Sequence, residues 1–263
     1  SPLEDTDGNP LKVEIPFPNR TVYARLWEAR VGHIRLYLLD TQVPENNPED
    51  QKITAQLYGG DQKTRIQQEL VLGVGGTRAL VKLGLKPTVW HNNEGHAALA
   101  VLERCRMAVE SGLDFHSALE AVAGTTLFTT HTPVPAGHDI FGRELITDYL
   151  AIFARALNVD TETLFALGAT PDGDSFNMTT LGLRGSRFHN GVSRIHGGVA
   201  SKMEGSIWPQ VPPNENPISY ITNGVHVPTF LAPEWASLFN IQAPTWRSEL
   251  RRPEFWKFVD AIP

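Results

Sequence analysis

The sequence predicts an α/β protein with a parallel sheet, for three reasons. Short apolar segments at residues 87–90, 125–129 and 217–221 have the length and residue types of buried strands. Longer segments with helical spacing separate them, and this alternation is typical of a layered βα domain. A polar loop directly follows each predicted strand, which is where open α/β sheets bind their ligands.

The first forty residues differ from the rest because they predict antiparallel β structure. Residues 12–17 and 21–27 alternate between polar and apolar side chains, with a Pro-Asn turn between them. Residues 34–39 form a more continuously apolar strand, and a polar loop rich in Pro, Asn and Glu follows. We therefore predict a β-rich segment over residues 1–40 and an α/β domain over residues 41–263.

Apolar residues at helical spacing predict the helices of this domain. The predicted helices cover residues 61–83, 95–110, 115–123, 142–157, 161–168, 176–184, 191–204, 233–239 and 247–259. Those between residues 140 and 205 would form a helical insertion. The run Gly73-Val74-Gly75-Gly76 lacks the strand-to-helix setting of a dinucleotide-binding fingerprint, and it predicts close packing of a helix.

Polar side chains collect in four loops beside the predicted strands. These loops are 91–96, 130–139, 185–190 and 222–226, and the third is predicted to open a helix. Seven of the nine histidines lie in these loops or, like His196, just after the third. If the sheet is parallel, the other three loops share one rim and form one wall of a crevice. For any single histidine, the alternative is that it only satisfies nearby backbone groups.

Composition narrows the possible partners and the location. The net charge of −6 offers no basic stripe for phosphates, which argues against nucleic acid. No apolar run approaches about 18 residues, which argues against a membrane span. The single cysteine, Cys105, fits a reducing compartment, and we expect a cytoplasmic protein. The chain starts with Ser1 and stops at Pro263 after an amphipathic stretch, so we expect a piece of a longer protein.

The residue types in the loops favour one chemistry over several others. His91 and His96 are five residues apart with Gly95 between them, which does not match the zinc-binding pair of a protease helix. A serine hydrolase would need a Gly-x-Ser-x-Gly elbow, which the sequence lacks. Amides and imidazoles with one or two carboxylates suit sugar hydroxyls, because such groups both donate and accept hydrogen bonds. We therefore predict a polyhydroxylated ligand and no metal.

Six motifs in collinear order carry a family resemblance that runs from about residue 12 to the end. They are Leu36 to Thr41, Leu57-Tyr58-Gly59-Gly60-Asp61, Asn93 to Arg104, Thr130 to His138, Phe176 to Met203 and Thr222 to His226. Together they resemble the α-glucan (glycogen, starch or maltodextrin) phosphorylases, and more closely the shorter bacterial type.

The resemblance implies a fold, a reaction and a cofactor. The family has the GT-B architecture, and this chain would be part of its Rossmann-like N-terminal half. Its members transfer a terminal α-1,4-linked glucosyl unit to inorganic phosphate and release glucose 1-phosphate. Their pyridoxal 5′-phosphate lies in the C-terminal domain, on a lysine in a Gly-rich context that none of the seven lysines here shares. The resemblance thus implies a chain without its C-terminal domain, inactive alone, from a family that is commonly homodimeric.

The resemblance also implies roles for residues of the first predicted strand end and the helix before it. Asn93, Glu94 and His96 match the turn that approaches the reacting glucosyl unit. Glu94 would stabilise positive charge on the sugar or orient a neighbour. Asp61 and Arg65 match a segment at the mouth of the cleft, for which a surface ion pair is the alternative.

Further roles fall on the second and third polar loops. Arg187 occupies the place of a histidine whose backbone carbonyl meets the sugar in long members of the family, and His189 follows two residues later. Either of them could lie beside the sugar. His131 and His138 would border the acceptor or phosphate side. Asn190 would bind substrate or cap the following helix.

These assignments predict catalysis by orientation and charge stabilisation, because no residue is a convincing protein nucleophile. The partners would be an α-1,4-glucan, phosphate or glucose 1-phosphate, and the C-terminal domain. Two other functions stay open. One is a glycoside hydrolase that uses Glu94 with a second carboxylate, and the other is a non-catalytic glucan-binding fragment.

Overall fold

In a computed structural model, which describes residues 1–57, 59–212 and 214–262, strands and helices alternate along most of the chain. Tyr58, which stands in one of the motifs quoted above, lies outside the described residues. The strands are β1 (Lys12–Phe17), β2 (Arg20–Val31), β3 (Ile34–Asp40), β4 (Trp90–Asn93), β5 (Thr126–Thr130), β6 (Ile140–Gly142), β7 (Ser175–Asn177), β8 (Phe188–Gly191) and β9 (Ile218–Tyr220).

Helices occupy most of the remaining chain. The α-helices are α1 (Gln62–Leu70), α2 (Gly76–Lys82), α3 (Ala100–Glu110), α4 (Phe115–Ala123), α5 (Arg143–Leu157), α6 (Thr161–Ala166), α7 (Met178–Arg184), α8 (Arg194–Met203), α9 (Val227–Phe230) and α10 (Pro233–Gln242). Short 3₁₀ helices cover Asp50–Lys52, Gly95–Ala97, Pro135–Gly137, Gly205–Ile207, Trp246–Ser248 and Phe255–Ala261. Within the described part of the chain, none of the helices combines the length and apolar character that crossing a bilayer requires.

The chain divides into two units, Ser1–Thr222 and Asn223–Pro263. The first unit contains both sheets of three or more strands and helices α1 to α8. The domain boundary that we place at residue 40 from the sequence stays a prediction.

The first sheet is antiparallel in the order β1–β2–β3, as the alternation over residues 12–39 predicts. Its inward side chains, such as Val13, Ile15 and Val22, are buried in a core shared with α1 and α5. Full burial of an aliphatic side chain of this size contributes roughly 1.5–3 kcal/mol, so this face anchors the sheet to the helices.

The helical segment predicted over residues 61–83 consists of α1 and α2, joined by a π-helical turn over Val71–Gly75. Gly73 lies in that turn, and a β-carbon there would stand 2.8 Å from the backbone nitrogen of Ala100, which opens α3. Only glycine allows this close approach. The predicted packing role of the Gly73 run is confirmed.

The second sheet is parallel in the order β4–β5–β8–β9, as predicted. The first of its strands lies three residues later than we predict, because His91 to Asn93 pair with β5 and are not a turn. The error arises because side chains alternate between the two faces of the strand. Asn92 points to the buried face, whereas His91 and Asn93 lie on the exposed face, where polar side chains carry no desolvation cost.

The predicted loop 185–190 is wrong in its second half, because Phe188–Gly191 forms β8 between β5 and β9. Its polar residues fit inside the sheet because a neighbouring side chain bonds to them: Thr129 Oγ1 donates to Asn190 Oδ1 at 3.0 Å. The helix predicted from residue 191 begins instead at Arg194. The predicted helical insertion therefore also contains β8 and the antiparallel pair β6–β7.

Helices α7 and α8 pack against one face of the parallel sheet. Phe128 of β5 lies there with Leu183, Ala200 and Ile218 in a small buried cluster. The opposite face carries exposed side chains, among them Phe188. The strands are thus fixed from one side, and their carboxyl ends meet at one edge.

The second unit is built around aromatic side chains. Phe239 of α10 contacts Trp246, Trp256 and Phe258 edge to face, with ring centroids 5.5–5.8 Å apart. The helix predicted over residues 247–259 is wrong, because two 3₁₀ helices occupy this region, separated by a turn that contains a proline. The fourth polar loop belongs to this unit from Asn223 onward, and His226 Nδ1 lies 2.7 Å from Thr229 Oγ1.

Candidate functional site

Glu94 directly follows β4 and has a strained backbone. Its φ of 72° and ψ of 173° lie in a region that is essentially restricted to glycine and that costs on the order of 1–3 kcal/mol. Its N–H still donates to the Thr129 carbonyl at 2.9 Å, which continues the ladder beyond β4. Strain of this kind collects at functional sites, so Glu94 is a candidate functional residue.

The Glu94 carboxylate is anchored through one of its two oxygens. Oε1 accepts hydrogen bonds from Thr130 Oγ1 at 3.1 Å, from the His131 backbone N–H, and from the N–H and Oγ1 of Thr132 at 3.1 and 3.4 Å. No hydrogen bond to Oε2 occurs among the residues that the structure describes. The loop after β5 therefore orients the carboxylate and leaves its second oxygen for a ligand.

The Glu94 crevice is a cavity of about 390 Å³ at the carboxyl ends of β4 and β5. It is lined by Asn93, Glu94, His96, His131, Thr132 and Val134, among others. His131 Nε2 lies 2.6 Å from Asn93 Oδ1, so the exposed imidazole is tied to the neighbouring strand end. Four residues that we predict to be functional, namely Asn93, Glu94, His96 and His131, meet here.

An ion cluster holds His96 in the wall of this crevice. Asp139 accepts from the Arg65 guanidinium through both oxygens at 2.9 and 3.0 Å, and its Oδ2 lies 2.8 Å from His96 Nδ1. Burial raises the pKa of Asp139, but the hydrogen bonds from His96 and Arg65 outweigh it and lower that pKa to about 2. Asp139 is therefore a stable anion that fixes both the Arg65 guanidinium and the His96 ring.

The distances around His96 determine which of its ring nitrogens carries the hydrogen. Arg65 also approaches His96 Nδ1, at 3.3 Å. One nitrogen cannot donate to Asp139 and accept from Arg65 at once, and the shorter contact, with a carboxylate, is the stronger. Nδ1 therefore carries the hydrogen, and in the neutral ring Nε2 is the acceptor.

Glu69 adds a second carboxyl group to this cluster. One ligand-type atom each of Glu69, His96 and Asp139 lies within 4.8 Å of the others, a grouping that could hold a metal ion. The Arg65 guanidinium already neutralises Asp139, and a cation would have to displace it. The geometry favours an ion-pair cluster over a metal centre.

His138 lies behind the crevice. Its side chain is buried, with Nε2 3.3 Å from Glu204 Oε1 and Nδ1 3.2 Å from Asn177 Nδ2. Burial lowers the pKa of His138, whereas burial together with the charge of Glu94 raises the pKa of Glu204 to about 7. His138 thus fastens the loop after β5 to α7 and to the end of α8, and it does not line the crevice.

Asn190 lies inside the parallel sheet and does not cap a helix. A chain of hydrogen bonds runs from His91 Nε2 to Thr129 Oγ1 at 2.7 Å and on to Asn190 Oδ1 at 3.0 Å. The cap of α8 is Ser193, whose hydroxyl accepts from the His196 N–H. The capping alternative for Asn190 is therefore wrong, and its side chain links β5 to β8.

Arg187 and His189 are not brought to the Glu94 crevice. Arg187 precedes β8, at the opposite edge of the sheet, and its exposed guanidinium pairs with Glu120 of α4. His189 is buried on the helix-covered face, where Nε2 lies 2.9 Å from both the Leu183 and Ser186 carbonyls, and burial lowers its pKa. Strand polarity separates both residues from the carboxyl edge.

Asp61 and Arg65 have separate roles and do not form the surface ion pair that we considered. Asp61 is exposed and caps α1, accepting from the backbone N–H of Thr64 at 2.8 Å. Arg65, one turn later on α1, points to Asp139.

A larger cavity of about 650 Å³ lies between β3, α1, α2 and the start of α3. Its walls are mostly apolar, with Leu36, Leu38 and Leu72 among the lining residues. A sugar site needs convergent donors and acceptors, so the smaller Glu94 crevice fits better.

The structure adds residues that we do not predict as functional. Asp139 and Thr132 stand in a loop already marked by its polar composition, so they could have been found there. Glu69 stands one helical turn after Arg65, which is a weaker signal. His196 also joins the site, because Nε2 lies 3.0 Å from the Thr132 carbonyl and holds the loop that orients Glu94.

A parallel sheet with amides, imidazoles and an oriented carboxylate at its carboxyl edge defines a ligand-binding α/β domain. No model of a protein family matches the chain. The chain is 44% identical to a maltodextrin phosphorylase of Thermococcus litoralis over 263 residues, all of this chain and 31% of that protein. It is 42% identical to a glycogen phosphorylase of Mycobacterium tuberculosis, over 99% of this chain and 31% of that protein.

A glycogen phosphorylase of Aquifex aeolicus is 33% identical over 98% of this chain and 37% of its own length. The chain is thus a relative of the α-glucan phosphorylases along its whole length. It spans about one third of the length of the curated relatives it matches.

Proposed function

We propose that this chain supplies the glucosyl-binding wall of an α-glucan phosphorylase. In this reaction a terminal α-1,4-linked glucosyl unit of a glucan passes to inorganic phosphate and glucose 1-phosphate is released. Two independent lines support the proposal. The similarity to phosphorylases covers the whole chain, and the Glu94 crevice has the donor and acceptor groups that sugar hydroxyls need.

The observation that carries the proposal is the orientation of Glu94. A strained backbone and four donors on one oxygen hold the carboxylate before any ligand binds. Cleavage of a glycosidic bond develops positive charge on the sugar ring. A pre-oriented carboxylate stabilises that charge without a reorganisation cost during the reaction.

The other crevice residues bind and orient in this proposal. Asn93 and His131 present an amide and an imidazole that are already bonded to each other, and His96 offers Nε2 as an acceptor. Arg187 and His189 take no part, because neither lies at this edge of the sheet.

A glycoside hydrolase is the weaker alternative, because it would need a second free carboxyl group beside Glu94. Asp139 is neutralised by Arg65 and accepts a hydrogen bond from His96, and Glu204 is buried against His138. Neither is placed to protonate a leaving group or activate water in the crevice.

Pyridoxal 5′-phosphate, which the family resemblance implies, does not fit the residues of this crevice. Its aldehyde needs a lysine, and no lysine lines the Glu94 crevice in the part of the chain that the structure describes. We propose that a further part of the full-length protein binds it. The relatives are about three times as long as the matched region.

The proposal includes the finer family features. These are a GT-B arrangement in which this wall faces a second Rossmann-like domain, a homodimer, and a cytoplasmic location.

Glucose 1-phosphate formation from maltodextrin and phosphate tests the proposed function. We expect turnover by the full-length polypeptide, and glucan binding without turnover by the 263-residue chain. Release of free glucose or maltose without phosphate would identify a hydrolase instead. Turnover by the 263-residue chain would contradict the division of the site between two parts of the protein.

A further inference from the structure

Glu69 is a buried carboxyl group that the proposed chemistry does not use. It lies on α1, its side chain is 2% exposed, and neither oxygen has a hydrogen-bond donor among the residues that the structure describes. The nearest cation is the Arg65 guanidinium, 3.6 Å away, and that group already contacts both oxygens of Asp139. An ionised Glu69 would be left buried and poorly compensated.

The Glu69 and Asp139 carboxyl groups each have an oxygen within 4.8 Å of the other's. Two carboxyl groups at such a distance do not both ionise when one cation serves them. Asp139 is the better anion, because Arg65 and His96 both donate to it. The proton of the pair therefore belongs on Glu69, whose hydroxyl then has Asp139 as its acceptor. Burial, followed by the charge of Asp139, raises the pKa of Glu69 well above its usual range, which agrees with this geometry.

We propose that Glu69 is a protonated carboxylic acid that donates to Asp139 and acts as a positioning residue for His96. With this donor in place, Asp139 is held on three sides by Glu69, Arg65 and His96. The His96 ring is then fixed with its hydrogen on Nδ1 and with Nε2 as the acceptor. Glu69 touches no ligand itself, and it acts through Asp139.

The role of His96 toward a sugar rests on the proposed function, but the proton on Glu69 does not. The two parts can therefore fail separately. Infrared difference spectroscopy tests the proton in the 263-residue chain, because a protonated carboxyl group absorbs apart from a carboxylate. We expect a protonated carboxyl band at neutral pH that is lost in Glu69→Gln.

Glu204 is the matched control for this measurement, since its pKa of about 7 gives it a partly protonated carboxyl group as well. The band lost in Glu204→Gln should differ from the one lost in Glu69→Gln. If Glu69→Gln removes only carboxylate absorption, the inference is overturned, whatever the chain binds.

Two substitutions test the positioning role in the full-length protein. Glu69→Gln keeps a donor toward Asp139, whereas Glu69→Met keeps the length and volume without one. We expect the first variant to retain kcat within about threefold and the second to lose about tenfold, with KM changed less than kcat in both. An equal loss in the two variants would show that the negative charge of Glu69 matters, and would overturn the proposal.

The tautomer of His96 provides a readout that does not depend on activity. In ¹⁵N spectra of the labelled 263-residue chain, Glu69→Gln should keep the hydrogen of His96 on Nδ1, and Glu69→Met should give a mixture of tautomers. If Glu69→Met does not fold, the infrared and ¹⁵N results on Glu69→Gln decide alone. A protonated Glu69 in a protein without phosphorolysis would leave this inference standing and remove the proposed function.

Discussion

An arginine pairs with a carboxylate at each of the two edges of the parallel sheet, but the surroundings of the two pairs differ. At the carboxyl edge, Arg65 and Asp139 are 17% and 19% exposed and share a cluster with His96. At the amino edge, Arg187 and Glu120 are 59% and 71% exposed and pair only with each other among the described residues.

The difference comes from the chain around each edge. The loop after β5 folds over the carboxyl edge, where its backbone N–H groups reach Glu94 and its Asp139 reaches α1. The amino edge has no such cover at Arg187, so its ion pair stays in water, where the net gain is small. An arginine and a carboxylate at a strand end therefore indicate a site only when a loop removes them from solvent.

The largest difference that we expect between substitutions at the two edges is in turnover. In the full-length protein, Glu94→Gln should lower kcat roughly 10²–10³-fold with a much smaller effect on glucan affinity, because the charge acts mainly in the transition state. Steady-state phosphorolysis with maltodextrin measures both quantities. Glu120→Gln at the amino edge is the matched control and should change kcat less than about twofold. Equal losses of turnover and affinity in Glu94→Gln would assign Glu94 a binding or structural role.

The second effect is on stability. Arg65→Met leaves the Asp139 carboxylate without its cation, and should lower the free energy of unfolding by about 2–3 kcal/mol. Arg187→Met at the amino edge should cost less than about 0.5 kcal/mol. Urea unfolding of the 263-residue chain compares the two. Similar losses would show that the two edges are energetically alike, and would break the comparison.

The third effect concerns the strain at Glu94. Glu94→Ala and Glu94→Gly both remove the carboxylate and its hydrogen bonds, but only glycine relaxes a φ of 72°. The glycine variant should therefore be more stable than the alanine variant by about 1–3 kcal/mol. In an exposed helix the order of these two residues is reversed. Thermal unfolding decides, and a more stable alanine variant would show that the backbone here is not strained.

The fourth effect that we expect is a pH dependence of stability that arises from Glu204, behind the carboxyl edge. Glu204 has a folded pKa of about 7 against 4.5 for the free side chain, so the folded state holds its proton more tightly. Its contribution to stability therefore falls as pH rises from about 4.5 to 7, by on the order of 3 kcal/mol in total. Glu204→Gln cannot ionise, and it should gain stability relative to the wild type across this window.

His138 acts in the opposite sense and must be included in the comparison. Burial lowers its pKa from 6.5, so its contribution is present above that pH and is lost as pH falls below it. The difference between the wild type and Glu204→Gln isolates the carboxyl group, provided that both retain His138. Parallel pH–stability curves for the two proteins would show that Glu204 ionises normally.

Much of the fold follows from local pattern. Alternation predicts β1 to β3, and helical spacing predicts α4, α5 and α6 close to their observed bounds. The helix predicted over residues 95–110 ends where α3 ends but begins as a 3₁₀ helix, with α3 starting at Ala100. In the parallel sheet the errors fall at β4 and β8, whose polar residues are typical of loops. Inside a parallel sheet these residues are satisfied by partners on neighbouring strands, such as Thr129 for Asn190, which a local window does not contain.

The site residues also include some that local sequence pattern predicts correctly and some that it does not. Polar loops after strands point correctly to Asn93, Glu94, His96 and His131, because the carboxyl ends of parallel strands share an edge. The sequence could not show that Arg187 lies at the other edge or that His189 faces a helix, since both depend on where β8 begins. The similarity to phosphorylases confirms the family and leaves these residue roles to experiment.

By itself the sequence determined the α/β class, the elements of the antiparallel sheet, most helices and the family. These properties depend on residue spacing and motif order, which can be seen in the sequence without knowing which distant residues are in contact. Tertiary structure alone decided which carboxyl groups lose solvent and which partners they gain. Asp139 is hydrogen-bonded to His96 and Arg65, which are 43 and 74 residues away in the chain. These bonds outweigh burial and lower the pKa of Asp139 to about 2, so the proposed proton of the pair falls to Glu69. Protonation depends on burial and on charges brought together by folding, so it is a property of the folded chain.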